Sequence, residues 1–297
     1  MNCVHIGNAT LYHGDCFDIL PSIACVDAVI SDPPYGCTDN QWDAKPLAVE
    51  RFWHTVKAIA KKDAVFALLA NMRFAVKLIS ANHKMFRYDL IWHKNRAVGF
   101  LDANKRPLRA HELILIFCRK SPLYHPQKTP GKPYCRIKHG VTTNYRNSTI
   151  RIPTNNTSGE RCPQSVLDFS VDTPNASSFH PTQKPVALME WLVKTYTNPG
   201  DIVLDPFMGS GSTGIACLRN GRRFIGIERE EKYFEVACQR LEAEAAQSTQ
   251  AEQAASSAYA AQAMQSCQRH ISTQEASYTH LPLFALRPIT ISAPQGA

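Results

Sequence analysis

Four carboxylates in this chain close short apolar runs: Asp15, Asp32, Asp205 and Glu228. Each stands where a buried strand would end. A carboxylate in that position can accept hydrogen bonds from sugar hydroxyls or from an amine. Two of the four sit in denser constellations. Asp32 opens Asp32-Pro33-Pro34-Tyr35, directly after an apolar run at residues 27–31. Two consecutive prolines cannot continue a ladder, so the strand stops at the carboxylate and the turn after it is stiff. Asp205 ends Ile202-Val203-Leu204-Asp205 and leads into Pro206-Phe207-Met208-Gly209-Ser210-Gly211-Ser212-Thr213. A strand that stops at a carboxylate and turns through glycines lets a ligand approach the backbone closely. The loop lacks the Gly-Lys-Ser/Thr ending of a phosphate loop, which argues against a nucleoside triphosphate.

The elements that must position these residues follow from hydrophobic period. Strands are expected at residues 10–13, 27–31, 64–70, 87–93, 112–118, 202–204 and 223–227, and helices at 16–23, 46–61, 71–82, 186–196, 213–220 and 231–246. Alternation of this kind predicts an α/β fold built on a mostly parallel, doubly wound sheet. In such a sheet, ligands bind beyond the carboxyl ends of the strands, where all four acids fall. The pattern breaks between residues 121 and 178, which are rich in Pro, Thr and Asn. From 121 to 161 the cations are Lys128, Lys132, Arg136, Lys138, Arg146, Arg151 and Arg161, against the single acid Glu160. Those cations, with Tyr124, Tyr134 and Tyr145 among them, suit a surface that tracks phosphates and stacks bases. A second basic stretch, with Lys105, Arg106 and Arg109, lies between two expected strands. Residues 247–268 are Ala/Gln/Ser-rich and of low complexity.

Composition narrows the function classes. The 297 residues are 44% hydrophobic, enough for a sizeable core, and the net charge of +8 favours a polyanionic partner. No two of the ten cysteines stand at C-x-x-C spacing, so no metal site is indicated. The first residues carry no signal pattern, and no apolar run approaches the ~18 residues of a membrane span. The expectation is a reduced, cytoplasmic protein with no membrane partner.

Together, Asp32-Pro33-Pro34-Tyr35, Asp205-Pro206-Phe207-Met208-Gly209-Ser210-Gly211 and His180-Pro181-Thr182-Gln183-Lys184-Pro185 resemble the motifs of the S-adenosylmethionine-dependent DNA amino-methyltransferases. The catalytic motif precedes the cofactor motif, with a variable region between, an order similar to that of the beta group. The resemblance covers roughly residues 9–241. It implies a Rossmann-like methyltransferase sheet in permuted chain order, with an irregular basic insertion for target recognition. The implied organisation is a catalytic half at 1–120, a target-recognition region at 121–178, a cofactor-binding half at 179–246, and a linker and tail at 247–297. It also implies S-adenosylmethionine as cofactor. Asp205, Phe207, Gly209, Ser210 and Gly211 would hold its methionine part, Glu228 its ribose and Asp15 its adenine amine, with Thr182 and Lys184 near its carboxylate. Pairing a cation with a helix N-terminus there would favour an anion.

The resemblance makes Asp32, Pro33, Pro34 and Tyr35 catalytic, and the chemistry can be argued from those residues. An exocyclic adenine amine is a poor nucleophile because its lone pair is delocalised into the ring. The Asp32 carboxylate and the Pro33 carbonyl can accept both amino hydrogens and aim the lone pair at a methyl carbon. Tyr35 offers a ring face to a flipped-out base. Methyl transfer to adenine N6 in double-stranded DNA, by direct displacement, is therefore expected. Cytosine N4 is the alternative within the family, with serine more often at the first motif position. RNA methylation or a silent DNA-binding module stand further off. Lys105, Arg106, Arg109, Lys132, Arg136 and Lys138 are the expected DNA contacts. In the tail, Leu281-Pro282-Leu283-Phe284 resembles the short peptides that dock on the replication sliding clamp, and a homodimer is left open.

Overall fold

The computed structural model describes residues 2–37, 47–136, 154–171 and 183–248, with isolated positions beyond. In chain order the main elements are β1 (Asn2–Ile6), β2 (Ala9–His13), α1 (Cys16–Ile19), β3 (Val26–Ser31), α2 (Val49–Ile59), β4 (Ala60–Ala70), α3 (Met72–Ala81), β5 (Phe86–Val98) and β6 (Arg109–Phe117). Then follow the short strands β7 (Tyr134–Arg136), β8 (Thr154–Asn156) and β9 (Val166–Asp168), and α4 (Val186–Tyr196), β10 (Ile202–Asp205), α5 (Ser212–Arg219) and β11 (Arg223–Glu228). A last helix, α6, spans 231–248. By contacts the chain divides into Met1–Ala246 and Gln247–Ala297. No helix among the described residues is long and apolar enough to cross a membrane.

Nine strands form one sheet in the order β1-β2-β11-β10-β3-β4-β6-β5-β9. The five consecutive strands β2, β11, β10, β3 and β4 are mutually parallel, while β6 runs antiparallel to both β4 and β5. The centre of the sheet is thus β10 and β3, drawn from opposite ends of the chain. This is the permuted, mostly parallel arrangement expected from the motif order. Alternation along the strands sends side chains to two cores. Ala28, Ile30, Val65, Ala67 and Leu69 meet the helices α4, α5 and α6 on one face. Val29, Phe66, Leu68 and Ala70 meet α1, α2 and α3 on the other. Near-continuous apolar strands are what burial on both faces requires.

Several elements extend past their sequence signal. β5 reaches Val98 rather than stopping at residue 93, and β6 begins at Arg109 rather than 112, with Val98 paired to Arg109. Apart from Lys94, which is buried, these outer residues carry side chains that are exposed or only partly covered, so no apolar period marks them. β1 was not expected; it folds back on β2 around Gly7, whose φ of 54° suits the tight turn. The stretch 121–178, expected to be irregular, contributes β9 to the main sheet beside β5, and β7 and β8 form a separate ribbon. These strands are three residues each, too short for a period to register.

Trp53 on α2 is the largest joint of the second core. It is 1% exposed, stands edge-on to Phe66 and Phe117 at 5.5 and 4.8 Å between centroids, and donates its indole N–H to the Leu78 carbonyl at 3.2 Å. Trp53→Ala should therefore cost about 3–5 kcal/mol of stability in urea unfolding. A cost under about 1 kcal/mol would show that α2 is not held through this contact.

Candidate active site

Because β2, β11, β10 and β3 are parallel neighbours, the acids at or just beyond their carboxyl ends come to one edge of the sheet: Asp15, Glu228, Asp205 and Asp32. There a cleft opens, whose empty space of about 870 Å³ includes the solvent at its mouth, and all four line it. Pro34, Lys184, Phe207, Gly209 and Ser210 line it as well. Pro33 and Tyr35 stand beside it on the same turn. Gly211 does not line it; a Cβ there would lie 2.7 Å from Leu241 Cδ1, and its φ is 80°, so this glycine lets the loop pack on α6. Thr182 lies outside the described residues.

Each acid is tied into local structure. Asp15 caps α1, accepting from the Phe17 amide at 2.8 Å. Glu228 accepts from the amides of Gly209 at 3.0 Å and Glu230 at 2.8 Å, which fixes the glycine loop against β11. Burial, opposed by these amides, raises its carboxyl above the ordinary range. Asp205 is 3% exposed and accepts from the Ser31 hydroxyl at 2.5 Å, the Thr213 hydroxyl at 2.7 Å and the Phe207 amide at 3.1 Å. Those bonds join the end of β10 to the last residue of β3, immediately before Asp32. Gly209 takes a φ of 51° with nothing within 4 Å of where a Cβ would stand, so the chain leaves room there for a ligand against the backbone.

Asp32 is held from two sides. The Tyr35 hydroxyl donates to Oδ1 at 2.5 Å, and the Lys184 ammonium contacts Oδ2. The Tyr35 ring packs on Phe74 at 5.4 Å between centroids. Lys184 is 9% exposed and also faces Glu112 Oε2 at 3.7 Å; the other oxygen of Glu112 takes the Lys94 ammonium at 2.5 Å. A row of four alternating charges, Lys94, Glu112, Lys184 and Asp32, thus leads to the site, its last two members lining the cavity. Burial alone would discharge Lys184, but Asp32 and Glu112 outweigh it and hold the ammonium above its usual range. Burial likewise pushes Glu112 up, yet Lys184 and Lys94 together bring it below. Burial lifts Asp32 against the pull of Lys184. Sequence reading missed Lys94 and Glu112. Lys94 sits among strand residues and Glu112 at the start of an apolar run, and only the β5–β6 pairing brings them together.

Of the expected DNA contacts, Lys105, Arg106 and Arg109 are exposed on the β5–β6 connection, and Lys132 and Arg136 are exposed near β7. Lys138 lies outside the described residues. Two other cations of the basic stretch are engaged within it: Lys128 pairs with Glu160 at 2.9 Å, and Arg161 lies over the Tyr134 ring at 4.7 Å. Among the described residues no cluster of three or more His, Cys, Asp or Glu could hold a metal ion.

Two measurements test the electrostatics. Glu112→Gln and Lys94→Met should each cost about 3–5 kcal/mol, because each strands a buried charge. The double variant should cost clearly less than the sum, with a coupling above about 1 kcal/mol in unfolding; additive costs would show the row is not a unit. For Asp205, burial, opposed by the two hydroxyls, raises the carboxyl from 3.8 to about 6. A raised acid favours the protonated fold, so its contribution worsens as pH rises from about 4 to about 6, by on the order of 3 kcal/mol. Wild type should lose that much more stability than Asp205→Asn across the window. Equal pH slopes would mean that Asp205 ionises freely.

Comparisons with known proteins agree with this geometry. Residues 26–239 match the family model of the N6/N4 methyltransferases, described as DNA methylase. The chain is 55% identical to the type II methyltransferase M2.DpnII of Streptococcus pneumoniae over 65 residues, 22% of this chain and 24% of that protein. It is 29% identical over 266 residues to the type II methyltransferase M.HinfI of Haemophilus influenzae, 78% of this chain and 68% of that protein. Among solved structures, the M1.HpyAVI complex with S-adenosylmethionine matches with a TM-score of 0.53 and 26% identity, over 78% of this chain and 99% of that one. Matched over residues 26–239, well over half of its length, the chain belongs to the N6/N4 DNA methylase family, in the chain order of its beta group.

Proposed function

We propose that this chain methylates adenine N6 in double-stranded DNA, using S-adenosylmethionine. The observation that carries it is that Asp32, fixed by Tyr35, opens into the same cavity as Asp205, Gly209 and Glu228. A target amine and a cofactor can meet there. S-adenosylmethionine, when bound, supplies the electrophilic methyl group.

The chain's own residues divide the remaining work. Glu228 and Asp15 present carboxylate oxygens that can accept from ribose hydroxyls and from an adenine amine. Gly209 leaves open space against the backbone just before α5, Ser210 lines the cavity beside it, and Phe207 gives an apolar wall. Lys184, and Thr182 by its place in the motif, serve the carboxylate end. Gly211 acts at one remove by seating the loop. Asp32 and the Pro33 carbonyl accept the two hydrogens of the target amine. Tyr35 and Lys184 each use one lone pair of the Asp32 carboxylate, and each oxygen keeps another. Burial makes this carboxylate a stronger acceptor for the positive charge that grows on the amine during transfer. The Tyr35 ring face away from Phe74 is the stacking surface for the base. Aspartate at the first motif position favours adenine over cytosine. The basic residues of the β5–β6 connection and of 121–178 hold the duplex. Docking on a sliding clamp through Leu281–Phe284 rests on the sequence alone, since those residues lie outside the described ones; so does a homodimer.

Incubation with labelled cofactor and duplex DNA, followed by nucleoside analysis, should yield N6-methyladenine. Label in N4-methylcytosine would transfer the same geometry to the other base. Asp32→Ala should lower turnover by about 10²–10³-fold or more while cofactor affinity stays within about threefold, as its work is on the target amine. Near-normal turnover would overturn the assigned mechanism.

A further inference from the structure

The β5–β6 connection carries the two most conspicuous unpartnered apolar side chains of the catalytic half. Leu101 is 95% exposed and Phe100 75%, with Val98 at 46% and Leu108 at 44% behind them. Large apolar side chains at a protruding tip are costly unless something covers them. Two features say what does. The first is charge: between residues 95 and 109 stand Arg96, Lys105, Arg106 and Arg109 against the single acid Asp102. All four cations are exposed. The second is place. β5 runs in the direction of β3 and β4, so the connection leaves the sheet at the edge where Asp32 lies. Its root, Lys94 paired with Glu112, is already part of the charged row that reaches Asp32. Between His93 and Val98 β5 bulges, five residue steps standing against the two from His111 to Arg109, so the strand advances about 7 Å there. The tip therefore projects from the same edge of the sheet as the cavity, the side on which a duplex would lie if one of its bases enters.

The tip is also built to stay put. Phe100–Asp102 form one 3-10 turn, entered through Gly99 at a φ of 88°. The turn is closed by the Asp102 amide on the Gly99 carbonyl at 3.1 Å and the Lys105 amide on the Asp102 carbonyl at 2.8 Å. Arg106 pairs with Asp102 at 2.5 Å across it. A tip ordered in advance loses little freedom when it engages.

We propose that Phe100 and Leu101 are a wedge that enters the base stack of duplex DNA and fills the gap left by the target base, with the surrounding cations on the flanking phosphates. Apolar side chains inserted between base steps, at a surface otherwise held by cations, are a general way to offset unstacking. This rests on DNA as the substrate, and it adds specific residues for extracting the base. Phe100 and Leu101 are positioning residues; they touch the stack, not the reacting atoms.

The test first identifies, with wild-type enzyme and plasmid DNA, which base in which sequence becomes methylated. Two duplexes carrying that site are then compared, one matched and one with an abasic position opposite the target base. The double variant Phe100→Ala/Leu101→Ala should lose about 10- to 100-fold in kcat/KM on the matched duplex. It should come within about threefold of wild type on the other, where the base is already unpaired. Lys105→Ala/Arg106→Ala, by contrast, should weaken both substrates alike. No loss on the matched duplex, or equal loss on both, overturns the wedge. Equal loss accompanied by a change in sedimentation would assign the tip to contact between two copies of the chain. Wild-type label in cytosine would overturn the adenine assignment while leaving this comparison intact. Absence of label in any DNA would overturn the substrate and the wedge together.

Discussion

Lys184 carries a positive charge into a nearly closed wall, and the rest of the site is arranged so that it can. Its ammonium meets Asp32, 152 residues away in sequence, and faces Glu112, which is in turn held by Lys94. A buried charge is tolerated only where partners satisfy it, and removing one partner leaves another stranded. Lys184 comes from the segment that leads into α4, whereas Asp32 follows β3 directly and Lys94 and Glu112 come from β5 and β6. The row therefore joins the two halves of a chain whose order is permuted. The Ser31–Asp205 hydrogen bond does the same one strand over, across 174 residues. Both ties lie at the cavity edge, so the fold is locked where the chemistry must be exact.

This locking explains why carboxylates can serve as acceptors here without collapsing onto the cations around them. Asp205 and Glu228 have their orientation set by hydroxyls and amides. Asp32 is set by a phenol on one side and an ammonium on the other. In the proposed reaction, a group already oriented need not reorganise as charge develops on the target amine, a saving central to electrostatic catalysis. The stiff Pro33-Pro34 turn contributes in the same sense.

The sequence was legible where side chains have to repeat or to react. Residues 27–31, 202–204 and 223–227 read as buried strands because both faces are covered, and the acids that follow them stand together at one edge of the sheet. The motif order also pointed to a sheet in permuted chain order, in which β10 and β3 turn out to be neighbours. What could not be read depends on pairing alone. Nothing about Lys94 and Glu112 individually says that they share a wall; that follows from the β5–β6 register, which apolar period does not encode beyond residue 93. β9 is likewise set by a neighbour strand and not by its own three residues. Exposure is equally silent: nothing in the sequence around Phe100 and Leu101 marks them as being among the most exposed apolar side chains of the described residues.

The distribution of charge then constrains how substrate can enter. Asp15, Asp32, Asp205 and Glu228 all face one cavity, with Lys184 among them. Phosphate brought near these acids would be repelled at short range, and little screened where water is excluded. The cations that favour phosphate lie elsewhere, on the β5–β6 connection and at Lys132 and Arg136, all exposed. A polyanion is therefore attracted to the rim and kept from the interior, whereas an uncharged base meets no such barrier and finds acceptors for its amine. With DNA as the proposed substrate, the fields that would hold a duplex outside favour entry of a base alone.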